Sequence, residues 1–379
     1  MIREFPVRME KFRKVMERKE LDALLLANPQ NVYYASGFSA INGKLPVSIL
    51  LPLRGEPSII LPSVELDRVR ETSWINKVKT YSPYSSTSRG IAEKSFGLGA
   101  FVAEVKNLVE TSNLSSATIG IEFSQITVSS FEALKATLEK TGFKDVSDEI
   151  LEVRSVKDYE EVETVRDSLE ISERGIRTAI ELVQPGITEL EVAAEVERTM
   201  RKAGSRRTAF DTVIASGKKG ANKLASSRQK KIEVNEFVAI DLSAIYNEYC
   251  SEVARTIYTG KPGEEQRKIF ELSKKTLTKA VEQIRPGITS EEIVIPVKSF
   301  VKNLSPGGTV EISGHGIGLD LVEYPRILEG EVRLVKPGMV LCIKVEATIR
   351  NIGGLRIEET VLVTDDGQEV LNKLPIETV

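Results

Sequence analysis

The feature that most constrains the fold of this chain is a repeated turn. The tetrapeptide Pro-Gly-Ile-Thr occurs at residues 185–188 and again at 286–289, 101 residues apart, each time after a helical pattern. Pro-Gly commonly ends a helix, and Thr is a preferred N-cap of the next one. A separation this long is not the period of a solenoid. The repeat therefore predicts a domain of two related halves, each with two helices followed by strands.

The rest of the chain predicts a smaller domain in front of this one. A length of 379 residues is too great for one ordinary core. Before residue 150, helical patterns alternate with short apolar runs, which is typical of an α/β domain. The predicted strands are 21–27, 47–53, 57–62 and 117–123, the predicted helices include 88–113 and 129–140, and 28–38 is interpreted as loop. We expect domains at 1–152 and 153–379, with Ser155 as an N-cap near the boundary.

Two pairs of strands are predicted inside the second domain. The first pair covers 236–260, and the second covers 338–367 with a turn at 350–354. Strand pairs that lie between helical segments predict an antiparallel sheet, so the fold class is α+β.

Composition excludes several classes of protein. The chain has 52 Lys+Arg and 55 Asp+Glu, which argues against a nucleic-acid binder. It has no apolar run long enough for a membrane span. Its two cysteines, Cys250 and Cys342, cannot form a disulfide scaffold, so we expect a cytoplasmic protein. It has one histidine, His315, which excludes mechanisms that need two imidazoles.

Several acidic residues occur in apolar strands, where a carboxylate is costly unless it is paired or binds a cation. Asp241 follows Ile240, and Glu358 follows Ile357. Ion pairs with the strand residues Arg255 or Arg356 are one explanation for them. His315 lies in a glycine-rich segment, where it could simply bond to the backbone.

The order of motifs resembles the aminopeptidase P, prolidase and creatinase family. The motifs are D-L-S-A at 241–244, S-E-V-A-R-T at 251–256, G-H-G-I-G-L at 314–319 and R-I-E-E-T at 356–360, and residues 8–38 are similar to the start of the family's N-terminal domain. The resemblance implies a small α/β creatinase-like domain followed by a duplicated "pita-bread" domain, and a homodimer. It also implies Xaa-Pro peptide hydrolysis by a water bound between two divalent ions.

Carried over by position, the metal ligands of the family fall on Asp241, Glu252, His315 and Glu358. Glu252 stands where the family has Asp, and the remaining ligand, a Glu in the family, falls on Lys344. An ammonium group cannot be a ligand of a divalent ion. A slip of two residues would instead make Glu346 the ligand, and both residues would face the same side of the strand.

Two histidines that assist catalysis in the family are also replaced, by Leu224 and Val322. The loss at 224 also disfavours the metal-free route of creatinase. We expect Lys344 to act as a built-in cation among the three carboxylates, with no bound metal or one Mn, Co or Zn ion. His315, Glu323 and Lys344 are the candidate catalytic residues, and Arg356 is a candidate substrate-binding residue.

Three functional hypotheses follow. The first is a pseudoenzyme-like relative with a degenerate dinuclear site that binds a small peptide or amide without two-metal hydrolysis. The second is an active Xaa-Pro peptidase with a mononuclear metal site. The third is a structural or partner-binding homodimer with a vestigial cleft. None of them involves nucleic acid or a membrane.

Overall fold

The computed structural model describes residues 5–40, 45–83, 97–302, 308–349 and 353–376. The chain forms two compact units, Met1–Val153 and Arg154–Val379. Both contain helices and strands, as the α+β class predicts. Among the described residues, no helix is both long enough and apolar enough to span a membrane.

The first unit is built on a six-stranded sheet in the order β4-β3-β2-β1-β5-β6. Its strands are β1 Ala23–Leu26, β2 Ser48–Pro52, β3 Ser58–Pro62, β4 Lys77–Tyr81, β5 Thr118–Ile121 and β6 Gly142–Asp145. Its helices are α1 Pro6–Lys19, α2 Pro29–Ser36, α3 Leu66–Thr72, α4 Leu98–Thr111, α5 Val128–Thr137 and α6 Ser147–Ser155, the last of which continues into the second unit. The parallel pairs β1–β5, β3–β4 and β5–β6 accompany an antiparallel β1–β2–β3 meander, which confirms the predicted hairpin at 47–62.

Two local predictions in and beside this unit are wrong, and a third lies partly outside the described residues. Residues 28–38 are largely helical, because the Asn28 side chain accepts an N–H from Gln30 at 2.7 Å and Pro29 takes the first helical position. The helix predicted at 88–113 is described only as α4, since 84–96 lie outside the described residues. The N-cap after the boundary is Asp158 and not Ser155, which ends α6.

The second unit carries an antiparallel strand system between pairs of helices. Its helices are α7 Tyr159–Leu182, α8 Glu189–Lys202, α9 Glu264–Gln283 and α10 Glu291–Lys302. Its strands are β7 Val213–Ser216, β8 Phe237–Leu242, β9 Ile245–Tyr246, β10 Tyr249–Cys250, β11 Val253–Tyr258, β12 Gly308–Gly316, β13 Glu323–Ile327, β14 Val340–Ile349, β15 Gly353–Val363 and β16 Gln368–Val370. They form sheets in the orders β11-β8-β7 and β13-β12-β14-β15-β16, plus the small β9–β10 pair. Part of the predicted turn at 350–354 (350–352) lies outside the described residues.

The two Pro-Gly-Ile-Thr turns make the same backbone contacts. The Gly186 N–H donates to the Ile232 carbonyl at 2.9 Å, and the Gly287 N–H donates to the Val335 carbonyl at 2.9 Å. Both glycines have a positive φ, 101° and 88°, which other residues adopt only with strain. Each turn is therefore held by a segment that returns to it from later in the same half, as duplication predicts.

The helix starts after the two turns differ by one residue. Thr188 is the N-cap of α8, where its hydroxyl accepts the Glu191 N–H at 3.2 Å. In the second half α10 begins at Glu291, so Thr289 lies one residue before the N-cap position. Its N–H and hydroxyl both donate to the Glu292 carboxylate, at 2.6 and 2.9 Å. Each threonine still pairs with a Glu three residues later.

Candidate active site

The second unit brings five of the predicted site residues together. They are Asp241 on β8, Glu252 just before β11, His315 on β12, Lys344 on β14 and Glu358 on β15. Asp241, Glu252, His315 and Glu358 are buried, with Glu358 fully inaccessible to solvent. The side chain of Lys344 is 19 % exposed. We call these five residues the central cluster.

The register of the second sheet determines which side chains meet. In the β14–β15 pair, Lys344 lies directly opposite Glu358, and opposed side chains in an antiparallel pair are close neighbours. The Lys344 ammonium lies 3.5 Å from Oε1 of Glu358 and donates a hydrogen bond to Oε1 of Glu252. Lys344 therefore bridges the two glutamates.

A second cation occupies the other side of the central cluster. Arg356 lies opposite Glu346 in the β14–β15 register, and its guanidinium contacts Oε1 of Glu346 at 2.7 Å. The same guanidinium donates a hydrogen bond to Oδ2 of Asp241. The lysine, and not Glu346, thus lies between Glu252 and Glu358. Arg356, the predicted substrate-binding residue, is committed to protein carboxylates, and a substrate-binding role for it stays a prediction.

The single histidine contacts both a carboxylate and the backbone. Nε2 of His315 lies 3.2 Å from Oε2 of Glu252, and Nδ1 lies 3.0 Å from the Gly316 carbonyl oxygen. Both ring nitrogens therefore lie beside oxygen atoms of the protein.

Burial and charge set the protonation of the central cluster. Burial, followed by the negative charge of Asp241, raises the pKa of Glu358 well above its usual range. Burial and the charge of Glu252 raise the pKa of Asp241 to about 6. Burial opposes ionisation of Glu252 too, but His315 and Lys344 outweigh it and lower that pKa to about 2. Although burial disfavours the Lys344 ammonium, the surrounding acids raise its pKa, so the lysine is charged.

The donor set does not fit the pair of divalent ions that the resemblance implies. Oxygens of Glu252 and Glu358 and the sulfur of Cys342 lie within 4.8 Å of one another, close enough in principle for one ion. However, the Lys344 ammonium is bound to those two glutamates, and the Arg356 guanidinium is bound to Asp241. Two positive charges already occupy the carboxylate oxygens that two ions would need.

Three carboxylate oxygens of the central cluster nevertheless lack a hydrogen-bond partner. They are Oδ1 of Asp241, Oε2 of Glu252 and Oε1 of Glu358, although the last two lie 3.2 Å from Nε2 of His315 and 3.5 Å from the Lys344 ammonium. A buried acceptor without a donor is costly, unless a proton or a cation supplies one. The proton expected on Glu358 relieves part of this cost. The remaining oxygens are where a single additional cation would find ligands.

Glu323 lies in a different ion-pair network. It begins β13, and its carboxylate is bound by Arg154 and by the Lys157 ammonium at 2.7 Å. Burial would raise its pKa, but Lys157 and Arg154 outweigh burial and lower the pKa to about 2. Both oxygens of Glu323 are thus used to hold the chain around Arg154 against β13. Its predicted catalytic role stays a prediction.

The two positions at which the family has assisting histidines carry apolar residues in this chain. Leu224 is 89 % exposed and Val322 is partly exposed, and neither offers an ionisable group. Sequence reasoning missed one neighbour of the central cluster, Cys342, whose sulfur lies 4.0 Å from Oε2 of Glu358. Its signal was available, because residues two apart on a strand share a face and Lys344 had already been placed there.

Comparisons with known proteins support the resemblance along the whole chain. The model of metallopeptidase family M24 matches residues 163–365, and the model of the creatinase/prolidase N-terminal domain matches residues 8–156. The Xaa-Pro dipeptidase of Pyrococcus furiosus is 34% identical over 367 residues, which is 97% of either chain. The Xaa-Pro dipeptidase of Pyrococcus horikoshii is 32% identical and covers 98% of this chain and 99% of its own.

Solved structures give the same result for the fold. The prolidase from Pyrococcus horikoshii superposes with a TM-score of 0.84 at 31% identity, over 98% of this chain and 100% of that one. An Xaa-Pro dipeptidase from Bacillus anthracis superposes with a TM-score of 0.86 at 25% identity, over 98% of this chain and 99% of that one. The predicted creatinase-like and pita-bread architecture is thereby confirmed. The chain belongs to metallopeptidase family M24, whose members use divalent metal ions, and carries the creatinase/prolidase N-terminal domain.

Proposed function

We propose that this chain binds short peptides of the Xaa-Pro type, or related small amides, without the two-ion hydrolysis of its family. One observation carries the proposal: the Lys344 ammonium is bonded to Glu252 and lies 3.5 Å from Glu358. The names of its full-length relatives support the peptide class. An ammonium group has three N–H donors. Two of them serve Glu252 and Glu358, so the third is available to a peptide carbonyl or carboxylate.

Two-ion hydrolysis is disfavoured because Lys344 stands at a position where the family has a carboxylate ligand. A two-ion mechanism requires oxygen ligands that surround both ions and a water shared between them. The positive charge of the Lys344 ammonium repels a divalent ion, whereas a carboxylate at the same position would attract it.

A working Xaa-Pro peptidase with a mononuclear site is the second candidate. Its ligands would be Asp241, Glu252, His315 and Glu358. The relatives' names favour this candidate over the first, because two proteins named Xaa-Pro dipeptidase match nearly the whole chain. The unpartnered Oδ1 of Asp241 favours it too. Homodimerisation, which the resemblance implies, and a cytoplasmic location, which the cysteine content suggests, stay predictions under either function.

One experiment separates the two functions. The chain is expressed with excess manganese, cobalt or zinc, and the purified protein is tested for metal content, for hydrolysis of Xaa-Pro dipeptides and for dipeptide binding by calorimetry. The first function predicts binding without turnover and far less than one ion per chain. Lys344→Glu restores a carboxylate and should raise the metal content, whereas Lys223→Glu, a matched change of an exposed lysine, should not.

The opposite outcome is equally clear. About one ion per chain together with turnover that is lost in His315→Ala would establish the mononuclear peptidase and overturn the first function. A chain that neither binds nor cleaves Xaa-Pro dipeptides would overturn both.

A further inference from the structure

A cavity of about 430 Å³ lies beside the end of β7 and is lined largely by the segment that follows this strand. Such a volume is within the range of small-molecule sites. Ionic and hydroxyl side chains dominate its lining, among them those of Lys218, Lys219, Ser226, Arg228, Lys230 and Glu236. No step of the proposed function uses these side chains.

The segment that forms this cavity is strongly basic. Residues 218–231 contain six Lys or Arg, and no Asp or Glu occurs from 212 to 232, although the whole chain has a net charge of −3. Two of these cations, Lys223 and Lys230, are in ion pairs. Within the part of the chain that the structure describes, Lys218, Lys219 and Arg228 have no carboxylate within 4 Å, although all three line the cavity. Three cations that form no ion pair with the described part of the chain thus face one space.

Two of the acids beside the cavity are already bound by the protein. Glu189 accepts hydrogen bonds from the Ser216 N–H at 2.8 Å, the Ser216 hydroxyl at 2.7 Å and the Arg228 N–H at 3.1 Å. Glu236 is paired with Lys230 at 2.7 Å. The third, Glu233, is exposed, so the four cations of the lining exceed its three acids by one charge.

The same contacts make the cavity wall rigid. The Lys230 ammonium is held between Glu236 and the Ser216 hydroxyl, at 2.7 and 2.8 Å. Glu189 ties α8 to β7 and to the backbone of Arg228. A ligand would therefore meet fixed walls and would have to order only the free lysine side chains, which lowers the entropic cost of binding.

We propose that this cavity binds a polyvalent phosphate, such as pyrophosphate or the terminal phosphates of a nucleotide. A guanidinium binds phosphate oxygens in a bidentate manner, and ammonium groups add point charges. A polyvalent group matches three unpaired cations better than a single carboxylate does, because it brings more than one negative charge to one place. The site goes beyond peptide binding and does not depend on it.

Calorimetric titration of the full-length chain with sodium pyrophosphate tests this site. Binding should saturate at one pyrophosphate per chain and weaken as salt is added, because the charges are close to the solvent. Lys218→Ala/Lys219→Ala should weaken binding by about tenfold or more, as expected for lost charge-assisted hydrogen bonds. Lys135→Ala/Lys140→Ala removes the same charge from exposed positions of the first unit and should leave binding unchanged.

Arg228→Gln is a second, independent variant, so that a folding defect in one variant does not decide the test. It should also weaken pyrophosphate binding while leaving the thermal melting curve in place. Failure of pyrophosphate to bind the wild-type chain would overturn the proposal. Equal binding by all variants, or citrate binding as tightly as pyrophosphate, would overturn the assignment to phosphate at this cavity. Xaa-Pro dipeptide binding is measured separately, so its failure has no bearing here.

Discussion

Replacing Lys344 by methionine tests the built-in cation directly. Methionine keeps most of the length and apolar volume of the lysine stem and removes the ammonium that bridges Glu252 and Glu358. Glu252 would then be a buried carboxylate whose remaining neighbour is His315, at 3.2 Å. We expect the second unit to be destabilised.

The magnitude follows from burial and protonation. Breaking a buried ion pair by removing one partner costs about 3–5 kcal/mol. The lower part of that range applies, because burial raises the pKa of Glu358 and so favours its neutral form, which leaves Glu252 as the main carboxylate that loses an opposite charge. Partial exposure of Lys344, 19 %, reduces the loss further. We therefore expect about 2–3 kcal/mol in the free energy of unfolding.

The assay must measure the stability of the second unit. The single tryptophan, Trp74, lies in the first unit, so its fluorescence does not report the central cluster. Hydrogen exchange of peptides from β14 and β15, read by mass spectrometry, measures the opening free energy of the strands that carry the cluster. Lys223→Met is the matched control, because Lys223 also contacts two carboxylates but is 58 % exposed, and it should cost less than about 1 kcal/mol.

A second substitution identifies the cause of the loss. In Lys344→Met/Glu252→Gln the unpaired charge is gone, so part of the lost stability should return. If Lys344→Met costs no more than Lys223→Met, or if Glu252→Gln rescues nothing, the lysine does not neutralise the cluster and the reasoning is wrong.

Two further predictions concern other parts of the second unit. The pKa of Glu323 is lowered to about 2 from an ordinary 4.5, so its ion pairs stabilise the fold above pH 4.5 and are lost as the pH falls towards 2. In urea unfolding, the free energy of unfolding of Glu323→Gln should be about 3 kcal/mol below that of the wild type near neutral pH, and this difference should shrink below pH 4.5. A difference that stays constant with pH would contradict this. Gly287→Ala should cost about 1–2 kcal/mol because of its φ of 88° alone, since no atom lies within 4 Å of the added methyl group. Gly367→Ala, whose φ is not in this region, should be nearly neutral in the same urea measurement, and equal losses would refute the backbone explanation.

Much of the architecture was accessible from the sequence because it depends on local rules. The Pro-Gly-Ile-Thr repeat predicted two related halves, and the matching bonds of Gly186 and Gly287 are its physical counterpart. Residues 28–38 were misjudged because their polar composition resembles a loop. Asn28 as N-cap and Pro29 at the first helical position were the overlooked signals.

The candidate site was predictable in membership and in part of its pairing. Motif order placed Asp241, Glu252 and Glu358 together with Lys344, and alternation along the strand put Lys344 on the side of the site. An ion pair between Asp241 and Arg356 was one of the two pairings that the sequence suggested, and it is observed. The choice of Arg356 over Arg255 was not predictable, because the bond joins strands of two different sheets. The same holds for the bond between Arg154 and Glu323, which are 169 residues apart in the chain.

The Lys344 and Arg356 contacts have a consequence for biosynthesis. A nascent chain whose interior acids are neutralised by its own side chains does not have to wait for a cofactor to finish maturing. Its yield should therefore be the same in cells starved of transition metals as in well-supplied cells. Chelators present during refolding should likewise leave the recovered amount of native protein unchanged.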